Sequence, residues 1–117
     1  MPKPTIMIVA GERSGDVYGA GLARALSAHL DGLELFGCGG ESLREAGADT
    51  VVNAHDISLA GITEVFRGIP RVYRAYHRLL KEVELRKPEL AILIDFPDFN
   101  LRLARKLKQH GVPSLFR

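Results

Sequence analysis

Residues Thr5 to Gly11 read TIMIVAG, an apolar, largely β-branched run with no polar alternation, closed by glycine. A strand with one wet face alternates in polarity. A continuous run of this kind fits a strand covered on both faces, the situation of strands in a parallel sheet. Parallel neighbours need a crossover, so a helix should follow. From Asp16, the apolar positions Val17, Ala20, Leu22, Ala23, Leu26 and Leu30 fall near helical spacing, with Ser14 or Gly15 at the cap and Gly32 as the stop.

The same alternation continues along the chain. LELFGCGG (Leu33 to Gly40) reads as a second strand and its glycine turn, ESLREAG as a short helix ended by Gly47, and TVVN as a third, short strand. Residues 54–68 mix loop and helix signals. Beyond them Ile69, Val72, Tyr73, Tyr76, Leu79, Leu80 and Val83 form one stripe of a strongly amphipathic helix, followed closely by Pro88. ELAILID (Glu89 to Asp95) is another buried-type strand, Asp98 to His110 a helix closed by Gly111, and VPSLF the beginning of one more strand. Strands alternating with helices predict one α/β domain over residues 1–117, with a Rossmann-like, right-handed, doubly wound and mainly parallel sheet.

Composition agrees with a soluble globular domain: 46% of residues are hydrophobic and 26% charged, unlike disordered or fibrous chains. Cys38 is the single cysteine, which excludes an internal disulfide framework or a multi-cysteine metal site and points to a reducing compartment, the cytoplasm by default. The apolar segment after Met1-Pro2-Lys3-Pro4 is too short for a signal sequence. No run approaches the ~20 apolar residues that span a bilayer.

Net charge is +2, but Arg67 to Lys87 holds seven Lys/Arg and two Glu, or +5, leaving 16 − 7 = 9 basic and 14 − 2 = 12 acidic residues elsewhere. An anionic surface or ligand near one helix fits that asymmetry. Nucleic-acid binding calls for a broader basic excess.

In a parallel sheet the turns after the strands share one edge, where ligands bind. Gly11-Glu12-Arg13-Ser14-Gly15-Asp16 and Asp95-Phe96-Pro97-Asp98-Phe99-Asn100 should therefore face one crevice. The first motif is neither a P-loop nor the dinucleotide fingerprint. Glu12 and Asp16 disfavour a bare phosphate there, whereas carboxylates beside backbone N–H groups suit sugar hydroxyls. The competing reading has Ser14 capping the helix and Asp16 complementing its dipole. In the second motif, Asp95 at the end of an apolar strand is expected to be partly desolvated, its pKa raised toward that of a general base; Asp98 sits where a helix cap belongs. His29, His55, His77 and His110 show no metal-ligand spacing, and Cys38 reads as a small packed residue. Gly37, Gly39 and Gly40 leave room for a ligand to approach the backbone. The basic helix either packs its stripe on a core or, led in by Ile62, Val65 and Phe66, lies on an anionic membrane with its arginines near headgroups.

Taken together, AGERSGDVYGAGL, GCGG, LAGITEV and ILIDFPDFN resemble the N-terminal half of the lipid-A-disaccharide synthases, in matching order and separation along nearly all 117 residues. The resemblance implies an acceptor-side domain, the incomplete N-terminal part of a glycosyltransferase B fold. It implies inverting transfer from UDP-2,3-diacylglucosamine to 2,3-diacylglucosamine 1-phosphate, releasing UDP, with no metal or other cofactor. By the same resemblance Asp95 matches the essential aspartate and takes the acceptor proton, while Asp98 and Asn100 shape that edge and Glu12, Ser14, Gly15 and Asp16 line the facing lip. Acylated substrates imply a cytoplasmic protein peripheral on the inner face of the inner membrane, with Val65, Phe66, Ile69, Val72 and Tyr73 as its contact stripe. Two mild departures are Ala60 and Leu43, near which the family commonly has methionine. The larger one is that the family continues beyond Arg117 into a UDP-binding C-terminal domain, so that the chain alone is expected to be inactive. The alternative is a non-catalytic Rossmann-like binding module or remnant.

Overall fold

A computed structural model of the protein describes residues 3–55, 57 and 65–117, with residues 65–70 described by their backbone alone. Five strands, β1 (Thr5–Ala10), β2 (Glu34–Gly39), β3 (Asp49–Asn53), β4 (Leu90–Ile94) and β5 (Ser114–Phe116), form one sheet in the order β3-β2-β1-β4-β5. Every pairing is parallel. The expected Rossmann-like arrangement is therefore present, and among the described residues its sheet is wholly parallel.

Among the described residues the helices with defined bounds are α1 (Arg13–His29), α2 (Glu41–Glu45), α3 (Val65–Arg86) and α4 (Pro97–Gln109), and Ala54, His55 and Ile57 are also helical. Chain direction across the sheet reverses after β3, and right-handed crossovers then require the helices to change faces. One core cluster joins α1 and α2 to Ile6, Ile8, Ala10, Leu35, Ile92 and Ile94. The other joins α3 and α4 to Met7, Val9, Phe36, Cys38, Ala91 and Leu93. Alternate residues of β1 and β4 feed opposite layers, which is why both strands read as unbroken apolar runs.

Two glycine positions set how closely elements approach. At Gly37, with φ +148°, an added Cβ would stand 1.9 Å from the Ile8 carbonyl oxygen, and the β2–β3 register shifts between Gly37 and Cys38. The glycine thus serves the sheet. Gly19 lets α1 settle onto β1 and β4, since a Cβ there would lie 3.1 Å from Ile94 Cδ1 and 3.4 Å from Ile8 Cγ2. Cys38 is fully buried and its thiol donates to the Ala10 carbonyl at 3.5 Å, in agreement with a packed residue.

Three boundaries differ from expectation. Helix α1 begins at Arg13, so Ser14 lies inside the first turn, and the N-cap residue Glu12 makes no side-chain capping bond. Helix α4 begins at Pro97 after Phe96 as N-cap, which puts Asp98 in its first turn rather than at the cap. Helix α3 extends four residues N-terminal to Ile69. No helix among the described residues is long and apolar enough to cross a membrane.

Candidate active site

β1 and β4 are the neighbours between which the strand order reverses, and Ala10 pairs with Ile94 at their carboxyl ends. Crevices at such a reversal are where open α/β sheets bind ligands. Gly11 and Asp95, the next residues of each strand, therefore emerge side by side, one strand spacing of about 4.8 Å apart.

The turn that carries Asp95 is strained. Asp95 and Phe96 both adopt left-handed backbone, with φ of +52° and +49°, a region uncommon for non-glycine residues and unusual for a bulky aromatic. Its neighbours hold it there. The Asp95 N–H donates to the Arg117 carbonyl at 2.9 Å. Asn100, with no exposed surface, donates its amide to the Asp95 carbonyl at 2.7 Å and the Ile94 carbonyl at 3.3 Å. The Phe96 ring covers Gly11 so closely that a Cβ there would lie 2.8 Å from Cδ2. Asn100 Oδ1 is buried and has no hydrogen-bond partner among the described residues. One amide thus spends both donors on two consecutive strand-end carbonyls, which orients the side chain without ambiguity.

Backbone so constrained turns the Asp95 side chain away from the sheet, and its carboxylate is exposed. The expected partial desolvation is absent, because the left-handed turn carries Cβ out of the layer where a continued strand would have buried it. Asp98 is exposed beside it, and across the crevice Glu12, Arg13 and Ser14 are exposed at the start of α1. The edge thus gathers three carboxylates, a hydroxyl, an arginine and the N–H groups of a helix start, a set suited to sugar hydroxyls that both donate and accept.

Three of the residues expected at this edge face elsewhere. Asp16 is buried, and its carboxylate accepts from the backbone N–H groups of Gly40 (2.7 Å), Ser42 (3.0 Å) and Leu43 (3.1 Å). It complements the N-terminus of α2 rather than that of its own helix. Gly40 lies so close that a Cβ would stand 2.9 Å from Asp16 Oδ2; the glycine turn admits this carboxylate. Gly15 is buried against Ile94 and Ala10, and Asn100 is occupied with the turn.

Of the stripe on α3, Tyr73 is 63% exposed, whereas Val72 packs against the core layer; the side chains of Val65, Phe66 and Ile69 lie outside the described residues. The C-terminal half of the helix follows the core-packing reading, with Leu79 and Val83 buried. Sequence reasoning missed an aromatic chain running from the turn to α3. Phe96 meets Phe99 and Phe99 meets Tyr76, each edge-on at 5.8 Å, and His77 bridges Tyr76 to Tyr73. Burial pushes the Tyr76 phenol above its ordinary pKa, against a smaller lowering by Arg102, and its hydroxyl donates to the Arg102 carbonyl. Also missed was the Arg117 guanidinium, 4.7 Å above the Tyr18 ring. The i, i+3 spacing of Phe96 with Phe99 and of Tyr73 with Tyr76 was a usable signal; nothing local links Tyr18 to a residue 99 positions away.

Comparison with known proteins identifies the family. The family profile described as lipid-A-disaccharide synthetase matches residues 6–115. The chain is 47% identical over 112 residues to a lipid-A-disaccharide synthase of Koribacter versatilis, covering 95% of this chain and 29% of that protein. A Myxococcus xanthus protein of the same name is 48% identical over 113 residues, covering 97% and 30%, and one from Geobacter sulfurreducens 46% over 111, covering 95% and 29%. The chain spans about three-tenths of the length of these relatives. With the motifs, the parallel sheet and a match over nearly every residue, the chain belongs to the lipid-A-disaccharide synthetase family.

Proposed function

We propose that these residues form the acceptor-side portion of a glycosyltransferase B enzyme that joins UDP-2,3-diacylglucosamine to 2,3-diacylglucosamine 1-phosphate. The observation that carries this reading is the strained, clamped turn that leaves Asp95 exposed at the reversal of strand order, on the same sheet edge as the exposed Glu12 and Ser14. Asp95 takes the proton of the acceptor 6'-hydroxyl as that oxygen bonds to the anomeric carbon of the donor; the bond to UDP breaks with inversion and UDP leaves with the electron pair. A sugar seated over the turn supplies the desolvation that the free carboxylate lacks. Glu12, Ser14 and Asp98 hydrogen-bond its hydroxyls. Donors for the departing UDP are assigned to the remaining length of the family's proteins, of which this chain spans about three-tenths, since such a leaving group requires cationic or N–H donors.

The reading makes the protein peripheral on the cytoplasmic face of the inner membrane, with exposed Tyr73 toward the lipid. The test is transferase assay of this chain alone and mixed with a separately expressed C-terminal domain of a relative. Turnover only in the mixture, lost by a factor of at least about a hundred in Asp95→Ala, is the expected result. Undiminished turnover in Asp95→Ala removes the base assignment, and silence of the folded mixture favours a non-catalytic module.

A further inference from the structure

At the β3 end of the sheet lies a groove of about 460 Å³, floored by Val51 and Val52 and lined by Asn53 on one side and Arg71, Arg74 and Arg78 on the other. The arginines are three and four residues apart on α3, which places them in one row along the helix flank. The apolar inner face of α3 is spent on the core, so this row is not an accident of an unpacked helix.

Two carboxylates lie next to the row, and both are already shared. Glu82 meets Arg78 at 3.3 Å and Arg86 at 2.9 Å, and Arg86 also meets Asp49 at 2.6 Å. Hydrogen bonds to Asp49 and Glu82 push the Arg86 pKa up, against an opposing effect of burial. Counting Arg71, Arg74, Arg78 and Arg86 against Glu82 and Asp49 gives 4 − 2 = +2 among the described residues. Arg74 also has an interaction of its own. A guanidinium carries five N–H donors, so one ion pair leaves donors for a ligand. Arg78 is largely exposed and meets Glu82 through one nitrogen, so its other donors stay accessible from the groove.

We propose that this groove binds a phosphate group. A planar carboxylate is satisfied by one guanidinium fork, whereas a tetrahedral phosphate directs its oxygens apart and accepts from several arginines of a row at once. The valine floor accepts the carbon side of a phosphate ester, and Asn53 supplies a neutral polar rim. The groove shares the carboxyl edge of the sheet with Asp95 but stands three strand positions away, roughly 14 Å at ~4.8 Å per strand. It does not rest on the transferase reading, since no group there takes part in the chemistry assigned to Asp95.

Free phosphate and a lipid headgroup offer the same chemistry, and two measurements on the 117-residue chain separate these sources. The first follows backbone amide shifts during titration with inorganic phosphate at constant ionic strength. The second measures sedimentation with phosphatidylcholine vesicles containing a phosphatidylglycerol minority. Each is repeated with Arg71→Gln and with Lys81→Gln, an exposed change on α3 outside the groove lining. Phosphate shifts clustered at Asn53 and Arg71 to Arg78, weakened roughly tenfold by Arg71→Gln as for one charge-assisted hydrogen bond and unaffected by Lys81→Gln, establish a site open to free phosphate. Arg71-dependent binding to vesicles alone assigns it to a headgroup. No binding in either measurement, or equal losses in the two variants, overturns the proposal.

Discussion

Asp16 and Asp95 are both acidic residues just beyond or within the first turn after a strand, yet the structure gives them opposite surroundings. Asp16 is 5% exposed and holds three backbone N–H groups; Asp95 is exposed at the end of a clamped turn. Removing the first leaves three buried or half-buried donors without an acceptor, and removing the second leaves none. Asp16→Ala should therefore lower unfolding free energy by about 2–3 kcal/mol, read as a shift of the urea midpoint. Asp95→Asn should stay within about 0.5 kcal/mol of wild type, because the change is exposed and asparagine tolerates left-handed backbone. A midpoint for Asp16→Ala equal to wild type would show that α2 holds its place without the carboxylate. The difference was not legible in the spacing of the GERSGD motif. It depends on Gly39 and Gly40 approaching from another strand, a contact 24 residues away in sequence.

At the scale of the element, α3 carries two roles on adjacent residues. Val72 faces the core and Tyr73 faces out at 63% exposure, as expected for neighbours about 100° apart on a helix. The sequence stripe merged them because both are apolar and both sit near the boundary of the buried face. Substitution separates them. Val72→Ser should cost about 1 kcal/mol of stability through lost apolar burial and leave vesicle sedimentation of the folded fraction unchanged, whereas Tyr73→Ser should leave stability nearly unchanged and weaken sedimentation. If neither variant alters sedimentation, Tyr73 makes no contribution to membrane contact. The start of this helix was the least legible part of the chain. Gly68 and Pro70 are unfavourable in helix interiors, so residue preference argued for a later start than the Val65 observed.

For the whole molecule, the features read correctly were those that repeat. Unbroken apolar runs announced the buried strands, and their alternation with helices announced the parallel order, because sheet burial acts on every residue of β1 and β4. Asn100 acts through two bonds to carbonyls five and six residues back, and Phe96 over Gly11 and Tyr18 under Arg117 through contacts distant in sequence; such one-off contacts leave no period to detect. The same architecture predicts how the chain behaves at its β5 side. There the sheet ends in a three-residue strand whose Leu115 and Phe116 are 56% and 54% exposed on opposite faces. Leu115 pairs with Ile92, on the α1 layer, and Phe116 with Leu93, on the α4 layer, so apolar surface is open both above and below an edge with unpaired backbone groups. Strand edges of this kind recruit other strands, and a net charge of only +2 opposes association weakly. The isolated chain should therefore self-associate as its concentration rises, as followed by sedimentation velocity. Leu115→Lys should shift it toward monomer, since a charge on the exposed face must be desolvated when a second edge docks. A wild-type chain that stays monomeric at concentrations where Leu115→Lys is also monomeric would show that the short strand and its twist already protect the edge.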